Sequence, residues 1–301
     1  MDSLTIVALT VIVLITILLV FFWSGFKRKF EGFPPDSEQI FDGSIMIPEP
    51  LPDNVKNHYR TIFKGKQIRD IHTARVWGKA RYKISGIWMP LRFQTYYQTG
   101  TKFVRHLEFF WHNKIILKGI DYYAEGSGLL DVNGIIRMHE GGEIIDESQW
   151  ISLWAESLLI SAIDLSDSRL RWEEIDTLTS DVIIPGHRQP NDGSFHRIRI
   201  RFHPETGLIH SIAANRYRGQ LGKKRIPWRI QVRKWHRYGT VWLPEYTVVW
   251  EDQKKPWCHY VINGISYNAA EDSQFIINSK PGSESKDRKA AGKNRGNKKM
   301  K

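Results

Sequence analysis

An uninterrupted apolar run opens the chain, from Leu4 to Trp23. About 20 residues in a helix are long enough to cross a hydrocarbon core of roughly 30 Å. The run has no polar stripe, which a buried helix of a globular domain would normally show on its solvent side. The pattern therefore predicts a transmembrane anchor over residues 1–26. A cleaved signal peptide is the alternative, but the run lacks the basic start and the small residues at its exit that cleavage requires.

Two different patterns follow the anchor. Residues 27–50 show no apolar period and contain several prolines, which is typical of an extended juxtamembrane linker. A short helix is predicted next, because Asp53 can cap its first turn. The apolar residues behind this cap have helical spacing and share one face; they are Val55, Tyr59, Ile62 and Phe63.

From Asp70 to Arg137 apolar and polar residues alternate with a period of two, and glycines separate the segments. This alternation predicts a meander of antiparallel strands. A helix interrupts the meander after Asp146, because apolar residues recur at helical spacing from Trp150 to about Ile163. Seven more strand-like segments follow, one of which alternates arginines with apolar residues. We therefore expect one β-rich globular domain over residues 51–278.

Charge is concentrated near both ends of this domain. The net charge is +12, and residues 279–301 form a basic, polar tail that we expect to be disordered. Anionic lipid headgroups are the expected partner of these charges, and nucleic acid is the less favoured one. The headgroup-binding candidates are Lys27, Arg28, Lys29, Lys298 and Lys299. Basic residues directly after the anchor place the domain in the cytoplasm by the positive-inside rule, with an extracytoplasmic location as the alternative.

Motifs of known chemistry are absent from the sequence. No phosphate-binding glycine loop, nucleophile elbow or zinc-protease motif occurs. Cys258 is the only cysteine, so an intramolecular disulfide is excluded. The eleven histidines show no metal-ligand spacing, and the nearest candidates are His196, His203 and His210. We therefore expect no metal, no cofactor and no catalytic residue.

Glu156 is the residue that fits its surroundings least, because it lies within the apolar segment LWAESLL. A carboxylate in such a setting needs a partner or acquires a raised pKa, and catalytic acids are often formed this way. Glu156 either points to solvent or pairs with an arginine such as Arg216. The candidate ligand-binding residues are Trp150, Trp154, Glu156, Arg216 and Tyr217.

The segments LWAESLLISAIDL, LRWEEID, IRIRFHPETGLIHSIAANRYRG and WLPEYTVVW resemble a large bacterial family that is a domain of unknown function. That family combines a helix of the A-E-x-x-W-F-P type with a D/N-R-Y/F element. Here Ala155 and Glu156 match the helix, and Asn215-Arg216-Tyr217 match the D/N-R-Y/F element. The W-F-P of that helix is absent from this sequence, so the chain is a divergent member. The order of elements is also similar to the lipoprotein-carrier (LolA/LolB-like) half-barrel.

The second resemblance implies a fold and, by analogy, a function. The expected fold is mainly β (α+β): a large curved antiparallel sheet, or an incompletely closed β-barrel, with one or two helices on its concave face. The expected function is non-enzymatic binding of a lipid or other hydrophobic ligand in an apolar cleft. Two alternatives stay open: an enzyme that uses Glu156 as acid or base, and a basic scaffold for an anionic surface or acidic partner. The oligomeric state does not follow from the sequence.

Overall fold

The computed structural model describes residues 2–27, 29, 31–33, 51–63, 71–160, 167–187, 195–219, 222–239 and 241–276. Most of the linker expected at residues 27–50 and the whole of the tail expected at residues 279–301 lie outside these ranges. The chain divides into Met1–Ala270, which holds the helices and strands named below, and Glu271–Lys301. In the second unit the described residues include one turn of 3-10 helix, Ser273–Phe275.

In the described part of the first unit there are three helices and thirteen strands. The helices are α1 Ser3–Gly25, α2 Asp53–Phe63 and α3 Glu143–Ser157. The strands that precede α3 are β1 Thr73–Ile84, β2 Ile87–Gln98, β3 Lys102–Trp111, β4 Lys114–Ala124, β5 Ser127–Gly134 and β6 Met138–Gly141. Those that follow it are β7 Arg171–Asp176, β8 Thr179–Pro185, β9 Phe195–Phe202, β10 Ile209–Tyr217, β11 Arg225–Tyr238, β12 Val241–Trp250 and β13 Pro256–Tyr267.

α1 is long and apolar enough to cross a membrane, with a mean hydropathy of 3.1, and signal sequences share these properties. The Asp2 carboxylate caps its start by accepting a hydrogen bond from the Thr5 amide at 3.1 Å. The side chains of α1 are exposed until its last turn, where Gly25 is buried. The globular domain therefore contacts only the C-terminal end of this helix.

All strands belong to one antiparallel sheet of order β6-β5-β4-β3-β2-β1-β13-β12-β11-β10-β9-β8-β7. α3 packs on β4, β5 and β6 near one edge and also on β10 near the other edge. In a flat sheet β5 and β10 would be about 38 Å apart, because neighbouring strands lie about 4.8 Å apart. A helix about 10 Å wide can touch both only if the sheet curves around it. The sheet is thus a large open half-barrel, which confirms the expected fold class.

The alternation in β9 places its apolar and basic residues on opposite faces. Ile198, Ile200 and Phe202 are buried, whereas Arg197 and Arg199 point outward and bind the carboxylate of Asp181 on β8 at 2.9 and 2.8 Å. This arginine-rich string is therefore a solvated sheet face with an internal counter-ion.

The ends of α3 differ from the sequence expectation. The helix begins seven residues before Trp150, and its α-helical part ends at Ser157 rather than near Ile163. Beyond it the amides of Leu159 and Ile160 bond to the carbonyls three residues earlier, at 3.0 and 2.9 Å. Such bonds tighten the last turn into 3-10 geometry. Residues 161–166 lie outside the described ranges.

Candidate functional site

Arg105 lies at the centre of a buried polar cluster on the concave side of the sheet. Its guanidinium donates to Asp121 Oδ2 at 3.1 Å and forms an ion pair with Glu156. It also donates to Thr95 Oγ1, to the Tyr97 hydroxyl and to the Tyr260 hydroxyl, at 3.1, 3.1 and 3.2 Å. Only 4% of the Arg105 side chain is exposed. A buried charge needs such compensation, and here five neighbours supply it.

Strand alternation explains why these groups converge. In β3, Arg105 occupies the same face as buried Phe103 and Leu107. The cross-strand partner of Arg105 is Thr95 on β2 on one side and Asp121 on β4 on the other. Directly opposed residues on antiparallel strands have neighbouring side chains. Three adjacent strands therefore bring an arginine, a hydroxyl and a carboxylate together.

α3 supplies the second layer of the cluster. Gln149, Ser152 and Glu156 follow one another at intervals of three and four residues, so they lie on one face of the helix. Gln149 Nε2 donates to Asp121 Oδ1 at 2.5 Å, and Glu156 Oε2 accepts from the Tyr97 hydroxyl at 3.1 Å. This face of the helix thus presents three polar side chains to Arg105 and its neighbours.

Arg216 reaches the same helix face from β10. One of its terminal nitrogens donates to the Ser152 hydroxyl. Its guanidinium lies over the rings of Trp228 and Trp250, with its central carbon 4.9 and 5.6 Å from their centroids, as in cation–π pairs. Burial lowers the pKa of Arg216 to about 10, although the charges of Asp121 and Glu156 oppose this shift. Arg216 remains a cation at neutral pH.

A cavity of about 440 Å³ adjoins this cluster. Its polar wall contains Arg105, Asp121, Glu156 and Arg216. Most of the remaining lining is apolar and comes from strands on both sides of the half-barrel; it includes Leu107, Phe109, Leu130, Val132, Met138, Trp228, Val248 and Trp257. A pocket of this size, with apolar walls and a few convergent polar groups, is typical of sites for small molecules.

Asp121 is an acidic group of the cluster with a shifted pKa. Burial raises the pKa of its carboxyl to about 6, and the neighbouring Arg105 opposes the rise. Burial also raises the pKa of the Tyr97 hydroxyl. Asp121 can therefore gain a proton in mildly acidic conditions, whereas Tyr97 stays protonated and acts as a donor. When both carboxylates of the cluster are ionised, their negative charges equal the positive charges of Arg105 and Arg216.

Two of the ligand-binding residues named from the sequence, Glu156 and Arg216, lie in the wall of this cavity. The interpretation that Glu156 pairs with Arg216 needs correction, because the ion pair of Glu156 is with Arg105. Sequence analysis did not single out Arg105 or Asp121. A signal was present, because each interrupts an apolar strand face with a charge.

The three remaining candidates lie outside the described lining of the cavity. Trp150 donates its indole N–H to the Pro185 carbonyl at 2.7 Å and packs edge-on against Trp154. The Tyr217 carbonyl accepts from the Ser148 hydroxyl at 3.2 Å, and its ring lies under the guanidinium of Arg225. These aromatic residues fasten α3 to the strands around it.

Of the headgroup-binding candidates, the structure describes Lys27 and Lys29. Both line a second pocket of about 330 Å³ on the outer face of the sheet, together with Lys79, Arg81 and His259. Arg28, Lys298 and Lys299 lie outside the described residues. The two described lysines thus join two further cations on β1.

The histidines group differently from the expectation. His203 and His210 face each other with ring centroids 6.1 Å apart, but His196 lies beside His187 instead. Glu147, His187 and His196 each offer a ligand atom within 4.8 Å of the others, which is compatible with a metal ion. Arg225 already binds both carboxylate oxygens of Glu147, one of them at 2.8 Å. A cation would have to displace this guanidinium, so the group is better described as an ion pair flanked by histidines.

The protein is an open antiparallel half-barrel. It encloses a helix and a cavity with one charged wall. Residues 46–261 match the model of DUF6544, which is described as a family of unknown function. The chain belongs to this family, which confirms the membership expected from the LWAESLL and NRY segments. A search among curated proteins found no match.

Three solved structures have a similar arrangement of the chain. A domain described as an outer membrane lipoprotein-sorting protein, from Vibrio parahaemolyticus, is 6% identical; the match covers 67% of this chain and 88% of that one, with a TM-score of 0.40. A LolA superfamily protein from Nitrosomonas europaea is 7% identical, with coverages of 74% and 96% and a TM-score of 0.40. A DUF1329 family protein from Desulfovibrio piger is 12% identical, with coverages of 76% and 99% and a TM-score of 0.39. Similarity at this level does not determine a function.

Proposed function

We propose that this protein is a membrane-anchored, non-enzymatic binding protein for a lipid or another hydrophobic ligand that carries a polar group. The observation that carries the proposal is the cavity of about 440 Å³ between the half-barrel and α3. Its long apolar wall suits a hydrocarbon portion, and its charged wall suits a polar end. The anchor is α1, which has the length and composition of a membrane span.

The polar cluster supports binding better than catalysis. Glu156 is held by Arg105 and by the Tyr97 hydroxyl, and Asp121 is held by Arg105 and Gln149. These contacts fix the two carboxylates, so that Arg216, with its single hydrogen bond to Ser152 among the described contacts, is the group best placed to donate to a ligand. Glu156 therefore organises the wall, and Arg216 contacts the polar end of the ligand.

Anionic headgroups are the second part of the proposal. Lys27 and Lys29 follow the anchor and lie with Lys79 and Arg81 in one basic pocket. A juxtamembrane cation is worth about 1 kcal/mol near an anionic surface. The same basic residues favour a cytoplasmic domain by the positive-inside rule, whereas an extracytoplasmic domain would leave the cavity chemistry unchanged. Lipid headgroups explain this pocket better than nucleic acid, because the anchor brings them into direct reach.

Native mass spectrometry of the full chain, purified in a mild detergent, tests the proposal. Leu130 lines the cavity and is only partly buried, so the ring of Leu130→Trp can occupy the cavity rather than disrupt the core. Leu178→Trp on the β7–β8 turn is the matched control, because Leu178 is exposed. We expect a co-purifying lipid mass on the wild type and on the control, and its loss by about tenfold or more in Leu130→Trp, a difference of about 1.4 kcal/mol.

Two results would contradict the proposal. One is a wild-type chain that carries no hydrophobic molecule and takes up none when lipid is added. The other is a Leu130→Trp chain that melts like the wild type and still retains the same lipid.

A further inference from the structure

One end of the half-barrel carries both a group of exposed apolar residues and the contact with α1. In an antiparallel sheet, alternate turns lie at the same end. The β1–β2, β3–β4 and β5–β6 turns therefore share one end, which we call the hairpin end and define by residues 83–88, 111–115 and 134–137. The contacts and charges of this end point to a bilayer as its partner.

Contacts with α1 place the hairpin end at the level where the helix would leave a membrane. The indole N–H of Trp111 donates to the Phe22 carbonyl at 2.9 Å, and the amide of His112 donates to the Gly25 carbonyl at 3.0 Å. The ring of His112 also stacks on Phe21, with centroids 4.4 Å apart. These carbonyls belong to the last turns of α1, and the last four carbonyls of a helix lack partners within it. The β3–β4 turn therefore caps the membrane helix.

Gly25 makes this close approach possible. A Cβ atom at this position would lie 2.3 Å from Trp111 Nε1 and 2.6 Å from a ring carbon of His112. Any side chain larger than hydrogen would push the β3–β4 turn off the helix end. The contact thus depends on a glycine at the end of α1 and on Trp111 and His112 of the β3–β4 turn.

The hairpin end exposes large apolar side chains that a soluble surface would normally bury. Trp88 is 36% exposed, Ile115 39%, Ile135 73% and Ile136 42%. They occupy three neighbouring hairpins, one of which is in contact with α1. Ile175 and Leu178 form a smaller exposed pair at the opposite end of the sheet. Tryptophan and large aliphatic residues at the exit of a membrane helix are typical of the interface between headgroups and acyl chains.

Basic residues accompany the apolar ones on each of these hairpins. Lys83, Lys114 and Arg137 are exposed on the β1–β2, β3–β4 and β5–β6 hairpins respectively. The pocket that contains Lys27, Lys29, Lys79 and Arg81 lies on the outer face of β1, beside the exit of α1. Apolar tips surrounded by cations match a bilayer with anionic headgroups, because the tips enter the interface while the cations meet the phosphates.

The cavity opens toward the same end. Its lining includes Lys83, Ile84 and Ser85 of the β1–β2 hairpin and Trp257 at the start of β13. β13 runs antiparallel to β1, so its first residues also lie at the hairpin end.

We propose that the hairpin end docks on an anionic bilayer surface, with its apolar tips in the interface and the mouth of the cavity facing the lipids. A ligand could then pass between the bilayer and the cavity without crossing water. The passage rests on the proposed ligand binding, and the docking extends the proposed contact with anionic headgroups.

Site-specific fluorescence on the full chain in lipid nanodiscs tests the docking. Cys258 is fully buried, so a thiol-reactive environment-sensitive dye labels an introduced surface cysteine selectively. The test positions are Ile115→Cys and Ile135→Cys, and Leu178→Cys at the opposite end of the sheet is the control. The discs contain phosphatidylcholine and phosphatidylserine, with a nitroxide quencher on the acyl chains. We expect a blue shift and quenching at positions 115 and 135, and neither at position 178.

Charge variants test the anionic part of the proposal. In the Ile135→Cys background, Lys83→Glu with Lys114→Glu exchanges two solvent-exposed residues, and we expect the variant to fold like the wild type. We expect these changes to reduce quenching in discs that contain phosphatidylserine, and Lys83→Arg with Lys114→Arg to restore it. Quenching at positions 115 and 135 no greater than at position 178 overturns the docking. If quenching is the same in the charge variants as in their parent, and the same with and without phosphatidylserine, the preference for anionic lipid is overturned. The dye reports docking without any bound ligand, so failure here is distinct from failure of the lipid-retention experiment.

Discussion

At the scale of single residues, Arg105 has the largest effect on the cavity. It is the common partner of Asp121 and Glu156, and its side chain is almost fully buried. Removing one partner of a buried ion pair leaves an uncompensated charge, which is far more costly than removing both partners. The two carboxylates therefore depend on a residue that lies on a different element from each of them.

We predict that Arg105→Met lowers the free energy of unfolding by about 3–5 kcal/mol, because it leaves two buried carboxylates without their common cation. Adding Glu156→Gln should recover part of this loss, since the two residues are in direct contact. Urea unfolding of the full chain in detergent measures both. Arg229→Met is the control, because the side chains of Arg229 and its partner Glu251 are 47% and 57% exposed and such surface pairs contribute about 1 kcal/mol or less. Strictly additive losses for Arg105 and Glu156 would contradict the coupling.

Asp121 gives the cavity a pH dependence with a definite sign. Its pKa of about 6 in the folded protein lies above the ordinary value of 3.8. Between these values the folded state binds more protons than the unfolded state, so the contribution of Asp121 to stability falls as the pH rises from about 4 to about 6. The difference between these two pKa values corresponds to a loss of about 3 kcal/mol in the free energy of unfolding. We predict that Asp121→Asn removes this fall, as measured by comparing urea midpoints of the variant and the wild type across this range. Parallel pH profiles for the two proteins would show that Asp121 titrates normally.

At the scale of secondary-structure elements, periodicity was sufficient to predict most of the fold. Phe195–Phe202 alternates as a strand whose one face is covered, and β9 has this alternation in the structure. The limits of α3 were harder to predict, because its second turn contains the polar residues Glu147, Ser148 and Gln149, which are nevertheless buried. Their burial depends on β5 and β10, which come from distant parts of the chain. Local pattern carries no information about such partners.

The polar cluster shows the same limit for the candidate site. Glu156 could be recognised because a charge in an apolar helix conflicts with its surroundings. Arg105 and Asp121 each occupy an inward position of a strand, but strands with many charges offer several such positions. Only the pairing of β2, β3 and β4 places Thr95, Arg105 and Asp121 side by side. The register between strands depends on residues that are far apart in the chain, so the local pattern of one segment does not reveal it.

At the scale of the whole molecule, we expect the sheet to fold independently of α1. The side chains of α1 are exposed along nearly its whole length, so removal of this helix uncovers little of the core. Phe26 directly after α1 is 8% exposed and packs with the core, so a truncation that tests α1 must leave it in place. What the sheet loses are the carbonyl groups that accept hydrogen bonds from Trp111 and His112. These lie at the surface, where water can replace them. Folding of the half-barrel therefore should not require the anchor, while tight membrane association should.

We predict that a chain lacking residues 1–25, which keeps the buried Phe26, enters the soluble fraction at moderate salt and melts at nearly the same temperature as the full chain. The truncated chain should still sediment with phosphatidylserine vesicles at low salt, because the hairpin end and its cations remain. This binding should disappear near 1 M salt, where the screening length falls from about 10 Å at 0.1 M to about 3 Å. Phosphatidylcholine vesicles should bind it weakly at any salt concentration, since a few apolar tips bury far less surface than a spanning helix. Vesicle sedimentation across these conditions, with the full chain in the same membranes as the control, measures each part. Firm retention on neutral vesicles at high salt would mean that the sheet itself inserts into the bilayer, and α1 would no longer be the anchor.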